Sequence, residues 1–252
     1  MALTDNLVSY WKLDESSGNA ADSVGSNTLT NVNTATYAAG KINNGVNLEL
    51  DSSQYLSVAD ASQTGLNLAD SISISLWVNF ESIRTVTNEA NTFVAKGNID
   101  GLTQAGYIFW ISKTATDSKL FFWYRDSVNN AVNFNATWAP STATWYHVVA
   151  VFDDVAHTGT FYVNGSQQGS TTSSLANNIG PEGSQPFMIG NHSAAGTDKL
   201  FDGLMDEVGI WSRVLTSTEV TSLYNGGAGF AYPFSGGGAT TNSNFFMFMD
   251  RR

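Results

Sequence analysis

The pattern of hydrophobic and polar positions along this chain is mostly that of β-strands. Apolar side chains occupy every second position of the segment 71–80, as Ile72, Ile74, Leu76, Val78 and Phe80. Successive strand residues point to opposite faces of a sheet, so this period predicts a strand with one face on a core. Similar short runs, bounded by Gly, Asn, Asp, Ser or Pro, predict strands at 46–50, 55–58, 107–111, 120–124, 145–152, 160–163, 187–189 and 204–211. Many short strands with little helical periodicity favour an all-β sandwich or barrel.

Two local motifs add a hairpin and a short helix. Asn164-Gly165 follows a strand run and suits a type I′ turn, because both central residues of that turn need positive φ. The strand after it, residues 167–170, is polar, which predicts a position at a sheet edge or facing solvent. The segment 216–219 (TSTE) fits a capping box. The helix that it begins is predicted to end at Gly226 and to plug an open end of the sandwich.

Charge and cysteine content exclude several classes of partner and chemistry. The chain has 11 basic and 22 acidic side chains and a formal net charge of −11. This balance disfavours nucleic acids and anionic membrane surfaces, both of which attract Lys and Arg. The absence of Cys excludes disulfides, thiolate zinc sites and a cysteine nucleophile. No run approaches the roughly 18 apolar residues of a membrane span, and no secretory signal is visible.

The composition changes after Phe234. Residues 235–244 (SGGGATTNSN) have the composition of a flexible linker. A block of five large apolar side chains follows, made of Phe245, Phe246, Met247, Phe248 and Met249. An exposed apolar patch of this kind marks an interaction site. We therefore predict a folded domain at 1–234 and a docking tail at 235–252 that binds protein partners or copies of the chain, in a virion or an extracellular surface assembly.

Six sequence blocks occur in an order that resembles one fold family. They are LVSYWKLDE at 7–15, GVNLELD at 45–51, SISISLWV at 71–78, WYHVVAVFD at 145–153, FYVNG at 161–165 and FDGLMDEVGIW at 201–211, followed by the helix. Together they resemble the laminin-G-like, concanavalin A-like jelly-roll family, over nearly all of residues 5–228. The resemblance implies two antiparallel sheets packed face to face with variable loops at the rim. It leaves function open, because the family includes lectins, adhesion modules, pentraxin-like assemblies and glycanases.

Calcium is the one cofactor that the resemblance brings forward, since many members hold it at the rim. Asp51 follows the strand after which some members place an acidic ligand, although SSQ at 52–54 is less acidic than is common there. Calcium takes six to eight oxygen ligands, which Asp and Asn in turns can supply. The alternative is an Asp that caps a turn. Asp100, Asp126 and Asp198 are less specific candidates.

A catalytic centre is not visible in the sequence. The glucanases of this family carry Glu-x-Asp-x-x-Glu-type strands, which bring two carboxylates close to the scissile bond, and no such run occurs here. The pairs Asp14-Glu15, Asp153-Asp154 and Asp206-Glu207 are expected to lie in turns or to point to opposite strand faces. The family resemblance implies a structural role for Asp206-Glu207, as a buried carboxylate at the rim that is bonded to backbone amides, with catalysis as the alternative. His147 is expected in the core or on the second face of its strand, and His157 and His192 in solvated loops.

Aromatic residues give the remaining indication of function. Trp123, Tyr124, Arg125, Asp126 and Asn129 form a dense group of ring and polar side chains. Aromatic faces stack on the C–H faces of sugars, and neighbouring polar groups bond the hydroxyls. The alternative is that alternate members of residues 121–125 fill the core.

Three functions remain open at this stage. We predict a non-catalytic assembly subunit that displays a lectin-like surface and docks through its C-terminal tail. A soluble carbohydrate- or protein-binding adhesion module is the alternative. A glycoside-acting enzyme is the third hypothesis.

Overall fold

The protein folds into two antiparallel β-sheets and one short helix. The computed structural model describes residues 1–87, 89–97, 106–175, 178–180, 185–192 and 198–235. The strands of this part are β1 (Leu7–Trp11), β2 (Thr30–Val32), β3 (Thr36–Ala39), β4 (Asn44–Leu48), β5 (Tyr55–Val58), β6 (Ile72–Phe80), β7 (Ala90–Lys96), β8 (Tyr107–Lys113), β9 (Ser118–Arg125), β10 (Ala131–Thr137), β11 (Trp145–Asp153), β12 (Thr158–Val163), β13 (Ser166–Thr172), β14 (Phe187–Ile189) and β15 (Gly203–Trp211). The helix α1 spans Ser217–Tyr224.

The strand order is that of a sandwich whose sheets are built from distant parts of the chain. The first sheet has the order β13-β12-β11-β6-β15-β4-β3, with β1 also paired to β15. The second has the order β10-β9-β8-β7-β14-β5-β2. This arrangement confirms the predicted jelly-roll sandwich. Helices of membrane-spanning length and hydropathy do not occur in the described part of the chain.

The main core lies between the two sheets. Strand β6 contributes all five of its alternating apolar residues, from Ile72 to Phe80, and β11 contributes Val148, Ala150 and Phe152. The opposite face of β6 is not solvated, because Ser73, Ser75 and Trp77 are also buried. Both faces of the first sheet are therefore covered at its central strand β6.

The predicted hairpin is confirmed. Asn164 and Gly165 have φ values of 50° and 75°, and the turn joins β12 to β13 with Val163 opposite Ser166. Strand β13 is polar and largely exposed at one edge of the first sheet, as its composition predicts.

Helix α1 begins as predicted but lies elsewhere. It packs with Val149, Val151 and Trp211 in a second apolar cluster, which lies on the outer face of the first sheet and not at an open end. The residue that caps the C-terminus of the helix is Asn225, with a φ of 49°, and not Gly226 as predicted. Besides Gly, Asn also adopts this left-handed conformation at helix ends, so the cap lies one residue before the predicted position.

Substitution of Thr216 tests the helix cap. Thr216 Oγ1 accepts a hydrogen bond from the Glu219 amide at 3.2 Å, and the Glu219 carboxylate accepts one from the Thr216 amide at 2.8 Å. We expect Thr216→Ala to lower the free energy of unfolding by about 1 kcal/mol. Denaturant titration measures this, with exposed Thr218→Ala as the control in the same turn. Equal stability of the two variants would contradict the capping role.

Strands β2, β3, β7 and β10 were not predicted from the sequence. Strands β2 and β3 have only three and four residues, and the β7 and β10 sequences interleave apolar residues with Asn and Thr. The strand predicted at 46–50 runs instead from Asn44 to Leu48, because a 3₁₀ turn begins at Leu50. The docking tail with residues 245–249 lies outside the described residues and stays a prediction.

Candidate functional site

The outer face of the second sheet carries an aromatic cluster. Along β9, Leu120, Phe122 and Tyr124 point into the main core, so Phe121 and Trp123 point outward. Trp110 and Ile108 of β8 join them, with Ala90 and Ala95 of β7. We call these six residues the outer aromatic cluster.

Trp110 and Phe121 form the centre of this cluster. They are directly paired across β8 and β9, and their rings stack with centroids 5.2 Å apart and an interplanar angle of 13°. Phe121 is half-buried and Trp110 is 9% exposed. On the other side of β9, exposed Asn133 and Asn135 of β10 lie opposite Trp123 and Phe121. Residues directly opposite in an antiparallel pair share a face, so a row of amides borders the rings.

A cavity of about 400 Å³ opens beside these rings. Its lining combines aromatic, hydroxyl and cationic side chains: Thr87, Ala90, Trp110, Ser112, Lys113, Thr114, Ala115, Phe121, His192 and Lys199. A concave site with an apolar floor and a few polar groups at its edge is the usual form of a small-ligand site.

His192 lies in the wall of this cavity, which corrects the prediction of a solvated loop histidine. Its side chain is fully buried, its Nδ1 lies 2.8 Å from Thr92 Oγ1, and its ring centroid lies 6.2 Å from that of Trp110. Burial and the nearby Lys199 lower the pKa of His192 to about 3, so the imidazole is neutral at pH 7. Among the described residues, its Nε2 atom has no hydrogen-bond partner.

The five residues predicted to form a ligand site are only partly brought together. Tyr124 points into the core between the sheets, which removes it from any surface site. Trp123 lies on the outer face, and the Arg125 guanidinium sits 5.4 Å from its ring centroid. The interpretation that alternate residues of this strand fill the core is confirmed for Phe122 and Tyr124.

Asp126 and Asn129 belong to the turn after β9. Asp126 accepts hydrogen bonds from the amides of Val128 and Asn130 at 3.0 and 2.7 Å. Burial raises the pKa of Asp126, but the hydrogen bonds from Asn130 and Val128 outweigh it and hold this pKa below its ordinary value. Asn129 has a φ of 69°, and its carbonyl accepts a hydrogen bond from Arg125 at 2.8 Å. These contacts give both residues a role in shaping the turn.

The candidate metal ligand Asp51 is exposed in the first turn of a 3₁₀ segment. Asp198 pairs with Lys199 at 3.0 Å, and Asp100 lies outside the described residues. Within the described ranges, no three His, Asp or Glu side chains are grouped so as to hold a metal ion. Calcium binding stays a prediction.

Asp206 and Glu207 share one face of the first sheet, against the expectation that they point apart. The pairing of β15 with β6 is irregular between Asp206 and Gly209, and Glu207 has a φ of 52°. Such a β-bulge inserts one residue and turns two consecutive side chains to the same side. Glu207 accepts a hydrogen bond from the Tyr10 hydroxyl, and Asp206 accepts one from the Ile42 amide at 2.8 Å. The second bond confirms the predicted contact of a buried carboxylate with a backbone amide.

The other two histidines lie where they were predicted. His147 is buried on the outer side of β11, with Nε2 2.8 Å from Ser75 Oγ, and burial lowers its pKa to about 3. His157 is exposed in a turn with a φ of 51°.

Sequence reasoning missed most residues of the cavity. Lys113, Lys199 and His192 come from three separate segments, so no motif joins them. The alternation of β9 did carry a usable signal, because it places Lys119, Phe121, Trp123 and Arg125 on one face.

Solved structures share this fold. Domain 4 of AbnA, a GH43 extracellular arabinanase from Geobacillus stearothermophilus, in complex with arabinotriose, is 23% identical with a TM-score of 0.60, covering 86% of this chain and 97% of that chain. The binding domain of Paraclostridial Mosquitocidal Protein 1 is 18% identical with a TM-score of 0.68, covering 89% and 53%. The binding domain of botulinum neurotoxin DC, in complex with SialylT, is 13% identical with a TM-score of 0.63, covering 89% and 52%. This chain thus spans about half the length of the two toxin domains.

The sequence comparisons identify the family. Among curated proteins, none matches this chain. A laminin-G family model, described as the concanavalin A-like lectin/glucanases superfamily, matches residues 50–221, which is more than half of the chain. Together with the two-sheet jelly roll, this match shows that the chain belongs to the laminin-G branch of the concanavalin A-like lectin/glucanases superfamily.

Proposed function

We propose that this protein is a non-catalytic carbohydrate-binding module whose ligand lies in the cavity beside Trp110 and Phe121. One observation carries the proposal: a stacked pair of aromatic rings borders a cavity of about 400 Å³, on a sheet face that also exposes a row of amides. This face therefore combines ring surfaces with groups that form hydrogen bonds to hydroxyls.

The chemistry of the face suits sugars. The half-buried ring of Phe121 offers an apolar surface to the C–H face of a pyranose or furanose ring. Ser112 and Thr114 line the cavity, and Asn133 and Asn135 extend the polar border along β10. Uncharged hydrogen-bonding groups are desolvated at lower cost than ions, which favours binding of a polyhydroxylated ligand.

Two of the structurally similar proteins were solved with oligosaccharide-type ligands, arabinotriose and SialylT. This likeness supports a sugar ligand for the present chain. The buried carboxyl pair Asp206 and Glu207 lies on the first sheet, whereas the cavity lies on the second. Glycoside cleavage in the cavity would need two carboxylates there, so we place the enzyme hypothesis last.

The assembly role remains a separate proposal. It depends on the apolar block at 245–249, which lies outside the described residues. A binding module and an assembly subunit are compatible, because Phe234, just before the tail, packs on the outer face of the first sheet, whereas the cavity lies on the second sheet.

Substitution of Phe121 tests the proposal. We expect the full chain to bind members of a glycan array, and Phe121→Ala to weaken that binding by about tenfold, the scale of one aromatic contact. The matched control is Tyr162→Ala, which removes a half-buried ring from the first sheet. Titration calorimetry on the best glycan measures the affinities, and thermal melts show whether both variants fold. A Phe121→Ala variant that binds as tightly as the unaltered chain would contradict the site, and no binding to any glycan would contradict the function.

A further inference from the structure

The wall of the binding cavity has a charge opposite to that of the chain. The sequence has 22 acidic and 11 basic side chains. The described lining of the cavity nevertheless includes Lys113 and Lys199 and contains no carboxylate. The cavity therefore lies in a locally cationic part of an acidic protein.

Lys113 is the side chain that carries most of this argument. It is the last residue of β8, is half-buried, and lies beside Ser112 in the cavity lining. Within the described part of the chain, its ammonium group makes no hydrogen bond or ion pair. An ammonium group that lacks a counterion among the described residues favours an anion brought by a ligand.

Lys199 is the second cation of the lining, and unlike Lys113 it already has an acidic partner. It is 8% exposed and forms an ion pair with Asp198 at 3.0 Å, while the Asp198 side chain is 52% exposed. Asp117 lies in the turn that follows β8, where its amide donates a hydrogen bond to Thr114 Oγ1. Glu89, whose carbonyl accepts a hydrogen bond from Ser112, pairs with Arg84 at 3.3 Å. These three acids lie outside the described lining, so they reduce the positive potential without occupying the cavity.

The remaining titratable group of the wall contributes no charge. Burial and Lys199 lower the pKa of His192 to about 3, which keeps the imidazole neutral. The positive potential of the cavity at pH 7 therefore comes from lysine. Further along the same sheet face, Lys119 and Arg125 lie at the two ends of the row that holds Phe121 and Trp123. Lys113 and Lys199 thus line the cavity, and Lys119 and Arg125 extend the row of basic side chains along the outer face of the second sheet.

We propose that the cavity binds an acidic sugar, whose ring lies against Phe121 and Trp110 and whose carboxylate or sulfate group is held by Lys113 and Lys199. This inference rests on the proposed carbohydrate-binding function and specifies its ligand class. The lysines border the aromatic pair, so a single acidic residue of a glycan can reach both kinds of contact.

The test compares acidic sugars with neutral sugars that share part of their structure. The probes are lactose, 3′-sialyllactose and 3′-sulfolactose, together with trigalacturonate and its neutral methyl ester, each titrated into the full chain by calorimetry. We expect the acidic member of at least one pair to bind about tenfold more tightly than its neutral partner, with an affinity that falls as salt is added. The carboxylated and sulfated probes show which anion is preferred.

Lys113→Gln should reduce this preference, measured as the ratio of the affinities for the acidic and the neutral sugar. Lys41→Gln is the matched control, because Lys41 lies 4.6 Å over Trp77 on the first sheet, and it should keep the ratio of the unaltered chain. Equal affinity for both members of every pair would overturn the acidic-sugar inference and leave carbohydrate binding standing. A charge preference that is undiminished in Lys113→Gln would overturn the assignment to this cavity. No binding of any probe or array glycan would overturn both proposals together.

Discussion

We expect the stability of the fold to decrease as the pH rises from about 4.5 to 7, and Glu207→Gln to remove much of that decrease. Burial is the largest cause of the raised pKa of Glu207, which is about 7 in the folded chain against an ordinary value of 4.5. Burial and the adjacent Glu207 likewise raise the pKa of Asp206 to about 9. The two groups share one face because of the bulge in β15.

The direction follows from proton binding. Between these values the folded chain holds protons that the unfolded chain has released, so the free energy of unfolding falls with rising pH. For Glu207 alone, a pKa raised from 4.5 to about 7 corresponds to on the order of 3 kcal/mol. This stability is fully present below pH 4.5 and is lost as the pH passes through the folded pKa.

Denaturant titrations between pH 4.5 and 8 measure the effect. Glu207→Gln should have a shallower pH dependence than the unaltered chain, because Gln resembles the protonated acid and does not titrate. Exposed Glu81→Gln is the control and should keep the original slope. Parallel slopes for the unaltered chain and Glu207→Gln would show that Glu207 is not buried in its protonated form.

A second large effect is expected at the buried pair between Arg213 and Glu219. The guanidinium makes a bidentate contact with the Glu219 carboxylate, at 3.0 and 2.8 Å. It also donates to the carbonyls of Asp5 and Ala2 at 2.7 and 3.0 Å. One side chain thus links the N-terminal segment to the first turn of α1.

Arg213→Ala should lower the free energy of unfolding by about 2–3 kcal/mol, since it removes charge-assisted hydrogen bonds to a partly buried carboxylate. The Glu219 carboxylate keeps its bonds from Thr216, whereas the carbonyls of Ala2, Asp5 and Val214 lose this donor. Burial raises the pKa of Glu219, but the hydrogen bonds from Arg213 and Thr216 outweigh it and lower that pKa. The pair therefore stabilises the fold at neutral pH, and this contribution is lost as the pH falls.

The control for this variant is Glu89→Gln, which breaks the more exposed pair between Arg84 and Glu89, 3.3 Å apart. We expect a change of about 1 kcal/mol or less there. Denaturant titration at pH 7 compares the two variants. If Arg213→Ala loses no more free energy of unfolding than Glu89→Gln, the contacts of Arg213 add little to stability.

Local features of the fold could be predicted because their causes are local. The alternation in β6, the Asn164-Gly165 turn and the Thr216 capping box each depend on residues within one strand or one turn. The alternation of a strand, the positive φ values of a turn and the capping of the first helical amides all depend on neighbouring residues. Packing with distant parts of the chain therefore changed little about them. The jelly roll itself was predicted from the resemblance of six sequence blocks, in their order along the chain, to the laminin-G-like family.

The candidate site could not be predicted in the same way. Trp110, Phe121, Lys113 and His192 come together only when β8, β9 and the segment after β14 meet on one sheet face. His192 was expected in solvent because its neighbours are polar, whereas Thr92, one hundred residues earlier, binds its ring. Burial of a loop residue depends on what packs over it, which a single sequence does not state.

By itself, then, the sequence determined strands such as β6, β11 and β15 and the polar edge at β13, because pleat geometry and turn conformations follow from adjacent residues. The fold family followed from the resemblance of its six sequence blocks. Only the tertiary structure decided which sheet faces are buried and which side chains meet in the candidate site. Helix α1 lies on the outer face of the first sheet because Val149, Val151 and Trp211 form an apolar surface there. The β15 bulge turns Asp206 and Glu207 to one side because the pairing with β6 shifts at that point. The position of the helix and the direction of these two carboxylates thus both depend on contacts between segments far apart in the chain.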